Sequence, residues 1–286
     1  MNVLVNYADA TYEQAQRFNS FMGRLCGRFD MILSYSPADI DEEFKKNNEL
    51  FFTVGNPQIG KYGLWRPYIL NDAINKCEEG DCICYCDSGA FFIKNFKHLR
   101  NFMNTRKIDF MCFDQPFLEY QWTKRDVFLY FGCDEKKYVE SNQRLSGYFC
   151  FIVNQKTRAF FQDFLKAAKD APYLFSDSEN KMNKPNYDGF IQNRHNQSVF
   201  SILTKKYNFE SYRDISEIGN RPEMYSGVEN AIFRPIKHPE STYPQMVILH
   251  RMGRFKISSF IYLIMRLVFP TKVYFKVMDI ISDRRG

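Results

Sequence analysis

Residues 80–92, GDCICYCDSGAFF, place a single carboxylate directly after a short apolar run. The run itself, residues 82–86, has the pattern of a buried strand, and Asp87, Ser88 and Gly89 follow it. In open α/β sheets ligands bind beyond the carboxyl ends of the strands, and a serine and a glycine there let the backbone turn and a ligand approach. Asp87 is therefore a candidate binding residue, and the alternative is a turn or helix-capping aspartate.

The eight cysteines lack the spacing of a zinc site, which needs one close pair of ligands and a second pair elsewhere. The close group is Cys82, Cys84 and Cys86, and alternate positions of a strand lie on one face. We therefore predict free, buried thiols in a reducing cytoplasm.

The basic charge of the chain belongs to its last residues. Residues 251–286 hold eight Lys and Arg against two acids, which accounts for the whole net charge of +6 and leaves residues 1–250 neutral. A nucleic-acid-binding protein would spread its basic charge over a folded face, so we expect no nucleic-acid partner. The start MNVLVNYADA has neither a basic stretch nor a long apolar core, so we expect no secretory signal.

The elements that must position Asp87 alternate between strands and helices. Residues 1–8 and 29–35 have strand patterns, and residues 11–28 between them have helical spacing with Thr11 as the predicted N-cap. This order predicts a βαβ start and an α/β fold. Further along the chain we predict a helix from Pro67, strands at 109–113, 147–154 and 246–250, helices at 95–107, 156–171 and 195–208, and loops with short helices over 114–147.

Four sequence blocks together resemble a known enzyme family. They are GKYGLWRPYILNDAINKCEEGDCICYCDSGA (60–90), WTKRDVF (122–128), LSGYFCF (145–151) and NRHNQSVFSILTKKYN (193–208). In this order they resemble bacterial polysaccharide glycosyltransferases with the nucleotide-diphospho-sugar (GT-A) fold. The resemblance covers roughly residues 1–250. It implies a GT-A-like mixed sheet flanked by helices in residues 1–250, followed by a separate basic segment, residues 251–286.

The activity that the resemblance implies is transfer of a sugar from a nucleotide-diphosphate-sugar donor to a saccharide acceptor. We expect a lipid-linked acceptor in the synthesis of a capsule or O-antigen, on the cytoplasmic face of the cell membrane. One alternative is a catalytically silent sugar-nucleotide or glycan-binding module. Another is a sugar nucleotidyltransferase, although residues 1–14, MNVLVNYADATYEQ, lack the Gly-rich phosphate loop with which such enzymes open.

The leaving diphosphate of such a donor must be stabilised by a divalent cation or by basic side chains. By the resemblance, Asp87 matches the first aspartate of the family's D-x-D motif, and Gly89 stands where the second often lies, which puts tight metal binding in doubt. His250, at the end of the last predicted strand, is the helper that the resemblance favours. We predict that Asp87 and His250 hold magnesium or manganese; the alternatives are a ribose contact for Asp87 and a surface position for His250.

Several other residues are predicted to contact the donor. Lys124 and Arg125 could grip a diphosphate together, or form a solvated charge cluster. Trp65 and Arg66 begin a helix whose N-terminus suits phosphate, although Trp65 could also be core. His195 could pair with a phosphate or carboxylate, or be structural.

An inverting transfer also needs a base for the acceptor hydroxyl, and the candidates are Asp188, Asp114 and Glu119. Relatives commonly have H-D-Q-S where this chain has residues 195–198, HNQS. Asn196 cannot act as a base. If the aspartate of the relatives is catalytic, its role has moved or been lost in this chain. The alternative is a helix cap, as asparagine also caps helices well.

The basic tail combines charge with apolarity. Residues 257–269, ISSFIYLIMRLVF, are shorter than the ~20 residues that span a bilayer. A cationic, aromatic and amphipathic helix suits the surface of an anionic membrane. We predict membrane contact for this segment, and the alternative is a helix that docks on the core or on a second subunit.

Overall fold

The computed structural model describes residues 1–52, 62–254, 257–271, 273–274 and 276. Their strands, numbered in chain order, form a six-stranded sheet and a two-stranded sheet. The strands are β1 (Asn2–Tyr7), β2 (Met31–Tyr35), β3 (Cys82–Cys86), β4 (Ala90–Phe92), β5 (Phe110–Leu118), β6 (Asn142–Ile152), β7 (Ser211–Tyr212) and β8 (Val247–Leu249).

The six-stranded sheet has the order β2-β1-β3-β6-β5-β7. Strands β1, β2 and β3 are parallel, β6 is antiparallel to both of its neighbours, and β7 is parallel to β5. Five strands therefore share one direction, and the carboxyl ends of β1 and β3 meet at one edge. The predicted class, a mixed α/β sheet flanked by helices, is confirmed.

The α-helices of the described residues lie between the strands along the chain, except the last, which follows β8. They are α1 (Glu13–Met22), α2 (Glu42–Asn47), α3 (Glu49–Phe52), α4 (Trp65–Asn75), α5 (Lys97–Arg106), α6 (Glu119–Trp122), α7 (Arg125–Tyr130), α8 (Lys136–Val139), α9 (Gln155–Asp170), α10 (Asn196–Lys206) and α11 (Ile257–Val268).

The main differences from the predicted elements lie at their ends. Thr11 does not cap α1, since the helix follows Tyr12 and has no side-chain cap. Strands β5 and β6 both extend into the range 114–147, which was predicted as loops with short helices. The alternation of apolar and polar residues is weak there because the second half of β5 carries buried Gln115 and the start of β6 carries buried Asn142 and Gln143.

Two apolar cores lie on the two faces of the sheet. One contains Ile83 and Tyr85 of β3 with many phenylalanines, and the other contains Cys82, Cys84 and Cys86. Alternate residues of β3 thus face opposite cores, as the spacing predicted. All eight cysteines are free thiols.

The tail helix α11 docks on the rest of the chain. Arg266 forms an ion pair with buried Glu217 at 2.5 Å, and Arg221 donates to the carbonyl oxygens of Arg266 and Phe269. Ile264 and Val268, one turn apart, are 57% and 69% exposed. Within the described residues, no helix has the length and apolar character that crossing a membrane requires.

Candidate functional site

Asp87 lies directly after β3, at the edge where β1 and β3 end. Its Oδ1 accepts a hydrogen bond from Arg66 Nη2 at 2.6 Å and another from the Tyr85 hydroxyl. The side chain is 42% exposed, and Oδ2 lies 3.1 Å from where a Cβ on Gly147 would stand. One carboxylate oxygen is therefore fixed by two donors, while the other borders a glycine and the open edge.

Arg66 holds this carboxylate in place from the buried side. The guanidinium donates to Ser146 Oγ at 2.8 Å and to Asn196 Oδ1, and it lies 4.9 Å from the Tyr85 ring centroid. Burial alone would lower the pKa of Arg66, but the Asp87 carboxylate and Tyr85 keep that pKa above its usual value. Arg66 therefore positions Asp87 and ties helix α4 to β6 and α10.

Trp65 is a core residue, which was the alternative to phosphate binding. Its ring stacks on Tyr7 with centroids 3.8 Å apart and is 6% exposed.

Ser88 and Gly89 shape the turn next to Asp87. Buried Ser88 donates its hydroxyl to the Tyr7 carbonyl at 2.6 Å, so this side chain fixes the turn rather than facing a ligand. The Gly89 carbonyl accepts the N–H groups of His250 and Arg251 at 2.8 and 2.9 Å. A Cβ at Gly89 would stand 3.3 Å from the Arg251 Cα, so a glycine allows this close approach.

These bonds hold the backbone of His250 against Gly89, two residues from Asp87, and the His250 side chain is buried. Burial lowers the pKa of His250 to about 4, so the ring is neutral near pH 7. Its Nδ1 accepts the N–H of Met252 at 3.2 Å, which leaves the proton of the neutral ring on Nε2.

This arrangement does not fit a resident divalent cation. A protonated Nε2 offers no lone pair, and Asp87 Oδ1 is already engaged by Arg66 and Tyr85. Among the described residues no group of three or more acidic, histidine or cysteine side chains could hold a metal ion. The predicted metal site on Asp87 and His250 therefore stays a prediction without geometric support.

Lys124 and Arg125 do not join the Asp87 network. Lys124 is 2% exposed, donates to the carbonyls of Tyr173 and Ser178, and lies 3.8 Å from Asp126. Its burial lowers the pKa of the ammonium group. Arg125 pairs with Asp134 at 3.1 Å. The prediction that Lys124 and Arg125 bind the diphosphate together is therefore wrong. Both cations hold the irregular segment 173–187 in place.

Glu119 is wrong as a general base. The carboxylate is fully buried and accepts from Lys205 Nζ at 2.6 Å, Thr123 Oγ1 at 2.6 Å and Ser201. No acceptor hydroxyl reaches this position, so the ion pair with Lys205 is part of the scaffold.

The other two base candidates lie apart from the Asp87 hydrogen bonds. Asp114 accepts from Ser211 at 2.7 Å, pairs with His238 at 3.2 Å and lines a groove of about 1070 Å³ along the β5 and β7 edge of the sheet. Asp188 is exposed in a turn beside Gly189, which approaches Tyr120. Asp188 thus has the access that a base for an incoming hydroxyl needs, and its role stays a prediction.

His195 and Asn196 begin α10 in different roles. His195 pairs through Nε2 with Asp177 at 2.8 Å, with its backbone at φ 55°, which supports its structural alternative. Asn196 accepts from Arg66 and from Ser146 at 2.9 Å. The cap alternative for Asn196 is not observed, because the residue before it occupies the cap position without a side-chain bond.

Sequence reasoning missed a cluster of glutamines from β5, β6 and α10 that lies beside Ser146. Gln197 donates to Gln115 and to Gln143, both at 2.8 Å, and the Gln115 amide donates to the Tyr225 hydroxyl at 3.3 Å. The available signal was the recurrence of glutamines in otherwise apolar strand and helix segments, since a buried amide must find partners. Gln115 and Gln143 are buried and the Gln197 amide donates to both, so these amides hold β5, β6 and α10 together beside the site.

Comparisons with known proteins give no family. No protein-family model matches the chain, and no curated protein matches it. Among solved structures, it is similar to mouse xyloside xylosyltransferase 1 in the apo form, at 9% identity over 87% of this chain and 97% of that chain, with a TM-score of 0.46.

Two further glycosyltransferases are similar at comparable values. The galactosyltransferase LgtC, in complex with donor and acceptor sugar analogues, is similar at 12% identity over 87% of this chain and 86% of that chain, with a TM-score of 0.46. The apo glycosyltransferase GlyE of Streptococcus pneumoniae is similar at 12% identity over 98% of this chain and 64% of that chain, with a TM-score of 0.41. These solved neighbours are glycosyltransferases, and at such values the activity of this chain has to follow from its own site.

Proposed function

We propose that the chain is a glycosyltransferase that moves a sugar from a nucleotide-diphosphate-sugar donor to a saccharide acceptor. The observation that carries the proposal is Asp87, a half-exposed carboxylate held by buried Arg66 and Tyr85 at the carboxyl edge of β3. This is the edge at which α/β sheets bind ligands. The four sequence blocks that resemble bacterial polysaccharide glycosyltransferases support the same conclusion, because Arg66, Asp87, Ser146 and Asn196 come from three of them.

In this proposal Asp87 Oδ2 binds the donor. The bond between the anomeric carbon and the diphosphate oxygen breaks, and the acceptor hydroxyl oxygen forms the new bond to that carbon. The proton of the hydroxyl passes to a base, for which Asp188 is our candidate. The bond electrons leave with the diphosphate. A magnesium or manganese ion stays a further prediction, and Asp87 Oδ2 and the phosphate oxygens of the donor would have to hold it, because His250 and Asp87 Oδ1 are not free to do so. The test is loss of turnover with a chelator and its return with either metal.

The first experiment measures release of nucleoside diphosphate from a panel of donors in the presence of oligosaccharide acceptors. Asp87→Asn should reduce the rate by at least about 100-fold, since it removes the charge at the ligand-facing edge. Pyrophosphate release would indicate the nucleotidyltransferase alternative. Nucleotide binding without turnover with any of the acceptors would indicate the catalytically silent binding module.

Asp72→Asn is the matched control. Asp72 is 39% exposed, accepts from the Tyr35 hydroxyl at 2.6 Å and pairs with Lys76 at 2.6 Å, so it has the same kind of partners as Asp87. We expect this variant to keep its turnover. Equal losses in both variants would mean that Asp87 acts through stability, and the proposed site would be wrong.

We also propose that the acceptor is lipid-linked, in capsule or O-antigen synthesis, and that α11 rests on the inner face of the cell membrane. The support is the exposed apolar pair Ile264 and Val268 in a basic segment. Replacing both with serine should reduce recovery with anionic vesicles in a flotation assay. The control is Phe21→Ser with Leu25→Ser, since these exposed residues are also four apart. Equal recovery of both double variants would contradict membrane contact.

A further inference from the structure

Two arginines beside the Asp87 turn have no carboxylate partner among the residues that the structure describes. Arg194 is half-buried, with its guanidinium 4.2 Å from the ring centroid of Trp122, and its buried Nε has no hydrogen-bond partner there. Arg251 is exposed, and its backbone is held against Gly89. Arg194 stands two residues before Asn196, which accepts from Arg66, the partner of Asp87, so both arginines border the predicted donor site.

The two guanidinium groups share a neighbour, Tyr225. The Tyr225 ring packs on Phe117 with centroids 5.4 Å apart, and Phe117 packs at 5.3 Å on the Trp122 ring that lies beneath Arg194. Burial and the Asp214 carboxylate raise the pKa of Tyr225, and the charges of Arg251 and Arg194 lower it. Burial also lowers the pKa of Arg194, and the charge of Arg251 lowers it further. The hydroxyl of Tyr225 is fixed in turn by the Gln115 amide at 3.3 Å.

Among the described residues, half-buried Arg158 and Arg213 also have no carboxylate partner, but their guanidinium groups donate to carbonyl oxygens. The fully buried cations have carboxylate partners. Arg66 pairs with Asp87 and Lys205 with Glu119, both at 2.6 Å. A half-buried charge without a counter-ion is costly, and a second like charge nearby adds to the cost. The Trp122 ring beneath Arg194 holds the planar group in one orientation, which reduces the entropy lost when it binds a two-oxygen ligand.

We propose that Arg194 and Arg251, with the Tyr225 hydroxyl, form a receptor for a phosphate or carboxylate group of the substrate bound at the Asp87 edge. The planar Arg194 group presents two parallel N–H donors, the geometry that suits both anions. The assignment of the anion to a substrate rests on the proposed function. Anion binding itself is independent of it and can be measured without turnover.

The test is calorimetric titration of the full chain with two probes, inorganic pyrophosphate and glucuronate. We expect Arg194→Gln and Arg251→Gln each to weaken binding of at least one probe by about tenfold or more, because each removes charge-assisted hydrogen bonds. The matched control is Arg106→Gln, which removes one exposed arginine from the groove along the β5 and β7 edge. Its affinity should stay within about twofold of the wild type.

The two probes separate the two sources of the anion. A loss confined to pyrophosphate assigns the receptor to the donor diphosphate, and a loss confined to glucuronate assigns it to an acidic sugar. Failure of the wild type to bind either probe, unchanged affinity in both variants, or an equal loss in Arg106→Gln would overturn the proposal. Melting curves show whether Arg194→Gln folds; if it does not, the exposed Arg251→Gln variant decides.

The outcomes also separate this inference from the proposed function. If anion binding depends on the arginines but no donor supports sugar transfer, the receptor is supported and the glycosyltransferase proposal is wrong. Sugar transfer that requires Asp87 but is unchanged in both arginine variants would support the glycosyltransferase and contradict the anion receptor.

Discussion

Two carboxylate clusters in this protein are built from similar parts but differ in exposure. Asp87 is bound by Arg66, and Glu119 by Lys205, and β6 and α10 contribute partners to both. Asp87 is 42% exposed, whereas Glu119 is fully buried. The two clusters have similar chemistry. The Asp87 cluster can bind a ligand because one carboxylate oxygen is exposed, whereas the enclosed Glu119 cluster is a structural ion pair.

The largest expected effect concerns the buried cluster of Glu119 and Lys205. Glu119→Gln should lower the free energy of unfolding by about 3–5 kcal/mol, because Lys205 is left charged in an enclosed position. Burial already lowers the pKa of Lys205. Urea denaturation measures the change. The comparison fails if Asp87→Asn, whose site is open to water, destabilises the protein by as much as Glu119→Gln.

A second prediction concerns acidification of the site. His250 has a pKa near 6.5 when unfolded and about 4 in the folded chain, where burial disfavours its charged form. The unfolded state therefore binds a proton between these values that the folded state does not. Stability should fall as the pH drops from 6.5 to 4, by up to about 3 kcal/mol from this group.

The measurement is denaturation at a series of pH values for the wild type and His250→Gln. As the pH falls through this window, the wild type should lose stability relative to His250→Gln. A constant difference from pH 7 to pH 4 would show that His250 is not the buried neutral group described.

The sequence predicted the Asp87 edge because the required signals are local. A run of buried residues followed by Asp87, Ser88 and Gly89 identifies a strand end, and hydrophobic alternation assigned the thiols of β3 to one face. The order of strand and helix was sufficient for the α/β class.

The sequence could not separate the site from the scaffold, since that depends on contacts between distant residues. Lys124 and Glu119 have the residue types of a site, and their burial is set by residues 50 to 90 positions away, such as Ser178 and Lys205. The role of Arg66 as the partner of Asp87 likewise depends on how α4 packs against β3. No local pattern encodes such distances, so residue type alone overestimated the number of ligand contacts.

A third prediction tests whether the tail is part of the fold. Arg266→Ala leaves the buried Glu217 carboxylate, whose pKa is raised by burial, without its cation at 2.5 Å. We expect a loss of about 1–3 kcal/mol and faster proteolysis of α11. The control is Arg254→Ala, which changes the same charge at an exposed position of the same segment. Identical proteolysis of the two variants would favour an undocked tail.

The smallest expected effect tests the open oxygen of Asp87 directly. A Cβ at Gly147 would lie 3.1 Å from Asp87 Oδ2, so Gly147→Ala must displace the carboxylate by a few tenths of an ångström. We expect stability to change by less than about 1 kcal/mol, because alanine is tolerated in a strand, while kcat/KM for sugar transfer falls about tenfold. If the effect passes through Asp87, then adding Gly147→Ala to Asp87→Asn should not weaken donor binding further. If the two substitutions weaken donor binding additively, Gly147 acts on a group other than Asp87. Exposure of Asp87 Oδ2 would then not explain the difference between the two clusters.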